Sequence, residues 1–204
     1  MLNEIISTAL QLAVFTLIPY IGYRFFYKNK SGFLNYIGLI KSPIKPLIYA
    51  LAFSIPLMVL LLLLIHNSPE LTDAMNNPKS MTGKFKAMGI GVNTFILIAM
   101  AAIFKTALAE EILFRGFIAK RFISMLGFHK GNLLQAVLFG VIHSLLFLTI
   151  TQNILFLLLI FIFPFTVAMV ITWLNEKQAN GSILPGWLAH ASGNLLSYLF
   201  YTLF

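Results

Sequence analysis

The chain contains no cysteine, which excludes disulfides, thiolate nucleophiles and cysteine-based metal sites. It is also short of charge. Only 10% of its 204 residues are Asp, Glu, Lys or Arg, against roughly a quarter in a soluble domain. The apolar runs do not alternate with polar residues, so a membrane barrel, whose strands switch faces at every second position, is excluded. The first residues, "MLNEIISTAL", lack the basic region of a secretory signal, and their apolar run is therefore expected to stay as a first helix. No repeat, low-complexity tract or second domain is visible. Residues 1–204 are expected to form a single integral-membrane domain.

What is present is apolar. Hydrophobic residues make up 59% of the chain and the mean hydropathy is +0.90. They fall in runs of about 20, the length that crosses a bilayer core as helix. Because a spanning segment must satisfy its backbone internally, such runs imply helices. The expected fold is an all-α, polytopic transmembrane bundle with about six spans, at residues 4–24, 46–65, 92–118, 131–150, 153–174 and 183–203.

The net charge of +8 is read as basic loops facing anionic lipid and the cytoplasm, not as a nucleic-acid surface. Arg24, Lys28, Lys30, Lys41, Lys45, Arg115, Lys120, Arg121, Lys130 and Lys177 fall at one end of the expected spans, and Lys79, Lys84 and Lys86 at the other. That bias places loops one, three and five in the cytoplasm and both termini outside, in a multi-pass cell-membrane protein. The stretch 66–91 is the one sizeable hydrophilic segment; with Pro69, Pro78 and Gly83 as breakers, it is expected to be a flexible external connection.

Away from the span ends stand Lys105, Glu110, Glu111, Arg115, His143 and His190. Each charge costs at least about 2.5 kcal/mol in lipid and by default faces a protein interior or a wet cavity. Counting at 1.5 Å per residue places Glu110 about 15 Å, His143 about 18 Å and His190 about 10 Å from the cytoplasmic face. Three helices thus bring ionisable groups to similar depth, with the site expected to open towards the cytoplasm. Glu111 and Arg115 are i,i+4 neighbours able to pair, while Glu110 is rotated about 100° away. His190 and Asn194 share a face in the same manner, beside a row of small residues, Ala189, Gly193 and Ser197, that admits a close helix. Phe139 lies one turn before His143, where it serves either as an aromatic wall over the imidazole or as an ordinary core or lipid-facing residue. Lys105 is assigned no chemistry; it is expected to face a cavity or pair with a carboxylate.

A carboxylate, two imidazoles and an amide in a low-dielectric pocket suit the activation of water and the stabilisation of an oxyanion. Glu110, His143 and His190 also suit Zn²⁺ with an open water position. Spacing does not choose between the two.

"EEILFR", "FGVIH" and "HASGN" match the pattern EExxxR, FxxxH and HxxxN, in that order and on separate helices. With the flanks "FRGF" and "GSILPGWLAHASGNLL", the chain resembles the CPBP (CAAX protease and bacteriocin-processing, or Abi) family of intramembrane endopeptidases over about residues 92–200, preceded by two further membrane helices within 1–91. The resemblance implies that Glu110 with His143 positions and deprotonates the attacking water. It implies that His190 and Asn194 stabilise the oxyanion and that Glu111 and Arg115 support Glu110. A metal-free mechanism suits this set. The implied partner is a membrane-associated peptide or protein, cut in peptide maturation or bacteriocin immunity. Two competing readings are a non-catalytic membrane scaffold or immunity protein that uses the same cluster for packing, and a proton relay or transporter.

Overall fold

The computed structural model describes residues 2–27 and 32–204. Lys28 and Lys30, counted above among the basic residues, lie outside the described residues. No strand occurs among the described residues. The helices are α1 (Leu2–Phe26), α2 (Phe33–Ile37), α3 (Ile44–His66), α4 (Pro69–Asn76), α5 (Met81–Met88), α6 (Val92–Leu126), α7 (Phe128–Phe147), α8 (Ile154–Gln178) and α9 (Leu184–Leu203).

Five of these, α1, α3, α6, α7 and α8, are long and apolar enough to cross a membrane. The sixth expected span, α9, forms as a helix of 20 residues but carries too many polar and small residues to meet the same standard. Its position explains this. It packs against α3, α5 and α6, and Ala189, Gly193, Ser197, Tyr198 and Tyr201 are buried there, so its polar side is turned away from lipid. A Cβ built on Gly193 would lie 3.2 Å from Met58 Cε of α3, the close helix approach that the small-residue row allows.

Two boundaries differ from the sequence expectation. Helix α6 continues to Leu126, so Lys120 and Arg121 sit on its last turns and not in a loop. The turn into α7 is the single residue Gly127, at φ +76°, a conformation that glycine adopts without strain. More substantially, 66–91 is not an irregular connection. It folds into α4 and α5 because each has an apolar side to bury: Leu71, Ala74 and Met75 from α4, Phe85 from α5. Ser80 caps α5. Its Oγ accepts from the Gly83 N–H at 2.9 Å and donates to the Met75 carbonyl at 2.6 Å. The hydrophilic composition hid this because both helices are short and expose their other face.

Polar contacts define two ends of the bundle. At one, Lys120 Nζ donates to Glu176 (2.6 Å) and to the Gly181 carbonyl (2.8 Å), Ser182 Oγ donates to the Ile40 carbonyl (2.7 Å), and the Ile183 N–H donates to Gly38 (2.8 Å). At the other, Glu4 pairs with Lys84, and Asn153 Nδ2 donates to Glu70 (2.7 Å). Lys105 also reaches Glu4, at 3.2 Å, and is thus paired with a carboxylate on α1, away from Glu110. Between the ends, α7 is fastened to α8 by side chains that donate to backbone carbonyls. Gln135 reaches Ala168 at 3.1 Å, Asn132 reaches Met169 at 3.0 Å and Ser144 reaches Leu157 at 2.8 Å.

Removing the α5 cap tests whether 66–91 is structured. Ser80→Ala is expected to cost about 1 kcal/mol locally, read as faster amide hydrogen exchange over 81–88 with the remaining helices unchanged.

Candidate active site

The site is built on an unusual stretch of α6. Residues Ala101–Leu108 and Glu111–Ala119 are π-helical, a widened form that is rare and frequent at functional sites. The i−5 spacing is visible in the Ala109 N–H, which donates to the Phe104 carbonyl, and the Thr106 hydroxyl donates to the Ala101 carbonyl at 2.9 Å. The widened turns also leave carbonyls for neighbouring helices, and Trp187 Nε1 of α9 donates to Ile103 at 2.8 Å.

Glu110 and Glu111 diverge as their rotation on the helix requires. Glu111 is buried and faces Arg115, with Oε1 3.3 Å from the guanidinium Nε. Its other oxygen packs on Gly186 of α9, where any Cβ would collide with it. Asn175, on α8, accepts from the Gly186 N–H at 3.1 Å and closes the same corner. Glu110 faces the imidazoles. Its Oε2 lies 3.8 Å from His143 Nε2 and 3.9 Å from His190 Nε2. His190 stands between the two carboxylates, its Nδ1 3.5 Å from Glu111 Oε1. The structure therefore brings Glu110, Glu111, Arg115, His143 and His190 together from three helices.

The proton on His143 is fixed by its partner. Nδ1 lies 2.8 Å from the Phe139 carbonyl, which can only accept, so Nδ1 carries the hydrogen. The neutral ring then presents the Nε2 lone pair towards Glu110. Both Nε2–Oε2 separations exceed direct hydrogen-bonding distance and suit a bridging donor between them.

Phe139 is a buried wall and not a lipid-facing residue. Its ring centroid lies 4.3 Å from that of His143, and the Arg115 guanidinium carbon sits 4.0 Å above the ring, a cation–π contact that helps hold the charge in place. Asn194 makes no hydrogen bond to this cluster. Its Nδ2 donates to Thr106 Oγ1 at 2.6 Å. Since Thr106 gives its one hydrogen to Ala101, it can only accept from Asn194, and this settles which end of the amide faces it. Thr106 carried no signal in the sequence beyond its place one turn before Glu110.

These groups line one wall of a cavity of about 450 Å³. The rest is mostly apolar: Met58, Leu61 and Ile65 of α3, Phe147 of α7, Ile160 and Phe163 of α8. Arg115, Ile171 and Gly186 bound it at the Lys120–Glu176 end, while the lining runs out to Lys79–Thr82 and to Thr149 and Ile150 at the other. The buried Glu111–Arg115 pair and the Phe114–Phe139 packing lie beyond Glu110 on the side of the Lys120–Glu176 contact. Among the described residues no group of three or more His, Cys, Asp or Glu side chains is placed to hold a metal ion.

Burial makes the Glu111–Arg115 pair a strict requirement. Arg115→Met leaves a buried carboxylate without its counter-charge and is expected to destabilise the protein by about 3–5 kcal/mol. The double variant Glu111→Gln with Arg115→Met should cost clearly less, measured by unfolding of the purified protein in mixed micelles.

A family model described as type II CAAX prenyl endopeptidase Rce1-like matches residues 92–196, just over half of the chain. The match spans α6, α7, α8 and most of α9, and so includes every member of the Glu110 cluster. No curated protein and no solved structure matches the chain. The chain is a multi-pass membrane protein that belongs to the type II CAAX prenyl endopeptidase Rce1-like family of proteases.

Proposed function

We propose that the protein is an intramembrane endopeptidase that hydrolyses a peptide bond of a membrane-associated peptide or protein by direct attack of water. The observation that carries this reading is the convergence of His143 Nε2 and His190 Nε2 on one oxygen of Glu110, at 3.8 and 3.9 Å, inside a largely apolar cavity. Water held between them gives its proton to Glu110, oriented by the lone pair of His143, and its oxygen adds to the scissile carbonyl. The carbonyl oxygen then takes up negative charge. His190, held with its Nδ1 towards Glu111, offers an N–H donor to that oxygen. The N–H of Asn194 not engaged by Thr106 is the second donor. Collapse of the intermediate breaks the C–N bond, and the proton held by Glu110 passes to the leaving amine. Arg115 and Glu111 keep the opposite wall charged, rigid and dry.

No step is assigned to a metal in this reading, and the donor spacing above supports that choice. A cavity of about 450 Å³ suits a few residues of an extended peptide and not a folded protein, which favours maturation of a small peptide, or cleavage of a bacteriocin in self-immunity.

The assay is cleavage of an internally quenched, prenylated CAAX peptide by the full chain in proteoliposomes. Glu110→Ala, His143→Ala and His190→Ala should each lower the rate by about 10²–10⁴-fold while helicity and yield stay unchanged, and a zinc chelator should have no effect. Full cleavage by all three variants would remove the proposed site, and chelator-sensitive cleavage would restore the metal alternative.

A further inference from the structure

Two polar rungs join α6 to α9 at the site. On α6, Thr106 lies one turn before Glu110; on α9, Asn194 lies one turn after His190. The two helices run antiparallel here, so Glu110 faces His190 at 3.9 Å and Thr106 meets Asn194 at 2.6 Å. All four side chains line the same cavity. The Thr106–Asn194 rung is the tighter one, and its hydrogens are fixed. Thr106 sits in the widened stretch Ala101–Leu108, where its hydroxyl donates to the Ala101 carbonyl at 2.9 Å. A hydroxyl has a single hydrogen, so Thr106 has only lone pairs to offer α9. Among the described residues it is the one hydrogen-bond partner of the Asn194 side chain.

We propose that Thr106 is a positioning residue for the reaction: its hydroxyl fixes the Asn194 amide so that the free N–H, and not the carbonyl oxygen, meets the negative charge of the tetrahedral intermediate. This rests on the reading of the Glu110 cluster as the active site, and it adds a residue that acts on the substrate only through Asn194. The physical argument is one of orientation. A primary amide has a donor end and an acceptor end of similar size, and rotation about its last bond exchanges them. With Oδ1 turned to Thr106, two oxygens would touch with no hydrogen between them, because the Thr106 hydrogen is on the Ala101 carbonyl. With Nδ2 held at Thr106, its second hydrogen is left for the oxyanion, and nothing has to reorganise as the charge develops. The widened turn contributes to this. In a regular helix a threonine hydroxyl bonds back to the carbonyl four residues before it; here the hydrogen goes five residues back.

The test compares variants of the full chain in proteoliposomes, with the quenched prenylated CAAX peptide as substrate. Thr106→Val removes the hydroxyl and keeps the shape, Thr106→Ser keeps the hydroxyl, and Thr106→Ala replaces the valine variant should that one not fold. Loss of an oxyanion donor lowers kcat by about 10²–10³-fold, the range expected for Asn194→Ala. Thr106→Val is expected to lower kcat by about tenfold or more with KM within about twofold, since only the orientation of that donor is lost. Thr106→Ser should return to within about threefold of the wild type, because the acceptor is restored. Added to Asn194→Ala, Thr106→Val should change kcat by less than about twofold, with no amide left to orient. A Thr106→Val rate within about twofold of the wild type overturns the proposal, as do an equal loss in Thr106→Ser and losses that multiply in the double variant. A contact that merely fastens α6 to α9 would lower thermal stability with kcat unchanged, and that result also overturns it. Glu110→Gln separates this proposal from the reading beneath it. An inactive Glu110→Gln beside a fully active Thr106→Val removes the role of Thr106 alone, whereas full cleavage by Glu110→Gln removes the active site and the proposal with it.

Discussion

Glu111 and Arg115 are both buried in a helix that lies among apolar segments, and neither charge is tolerable there alone. An unpaired ion in such surroundings costs several kcal/mol, so each fixes the other and together they fix what surrounds them. Arg115 stacks on Phe139, which puts that helix in register with α6. Glu111 packs against Gly186, a position where no Cβ fits, and faces His190 on the same helix. The pair therefore sets the relative placement of α6, α7 and α9. His143 and His190 meet Glu110 because those three helices are already held.

Division of labour between adjacent carboxylates follows from this constraint. Glu111 is committed to Arg115 and the α9 corner, while Glu110 looks into a cavity with one imidazole on either side. The same distinction accounts for the tolerance of polar residues along α9. That helix carries His190, Asn194 and Ser197 on sides covered by α3, α5 and α6, so lipid never meets them, and its lower apolarity than the other long helices is the mark of a helix sheltered by its neighbours.

Much of this was legible in the residues themselves. Apolar runs of bilayer length announced the helices, and i,i+4 spacing announced the Glu111–Arg115 pair and the shared face of His190 and Asn194. The convergence on Glu110 could be anticipated from depth alone. What escaped was local or collective. The α4–α5 hairpin was masked because its buried faces, Leu71, Ala74, Met75 and Phe85, are too short for a periodic signal. The widened turns of α6 leave no composition signature, and so the contact of Thr106 with Asn194 could not be foreseen. Helix ends counted from charged residues misplaced Lys120 and Arg121, which ride on α6. The course of the cavity depends on which side chains fill each end, a property of the packed bundle and not of any one segment.

The central claim is that Glu110 acts as a base and not as a packing group, and one substitution separates the two. Glu110→Gln keeps the size, the shape and most of the hydrogen-bonding capacity of the side chain but cannot take a proton. Initial rates of peptide cleavage by this variant, measured on protein with unchanged thermal unfolding, are predicted to fall to background. Cleavage at the wild-type rate by Glu110→Gln would contradict the account and leave the cluster as a structural element of the bundle.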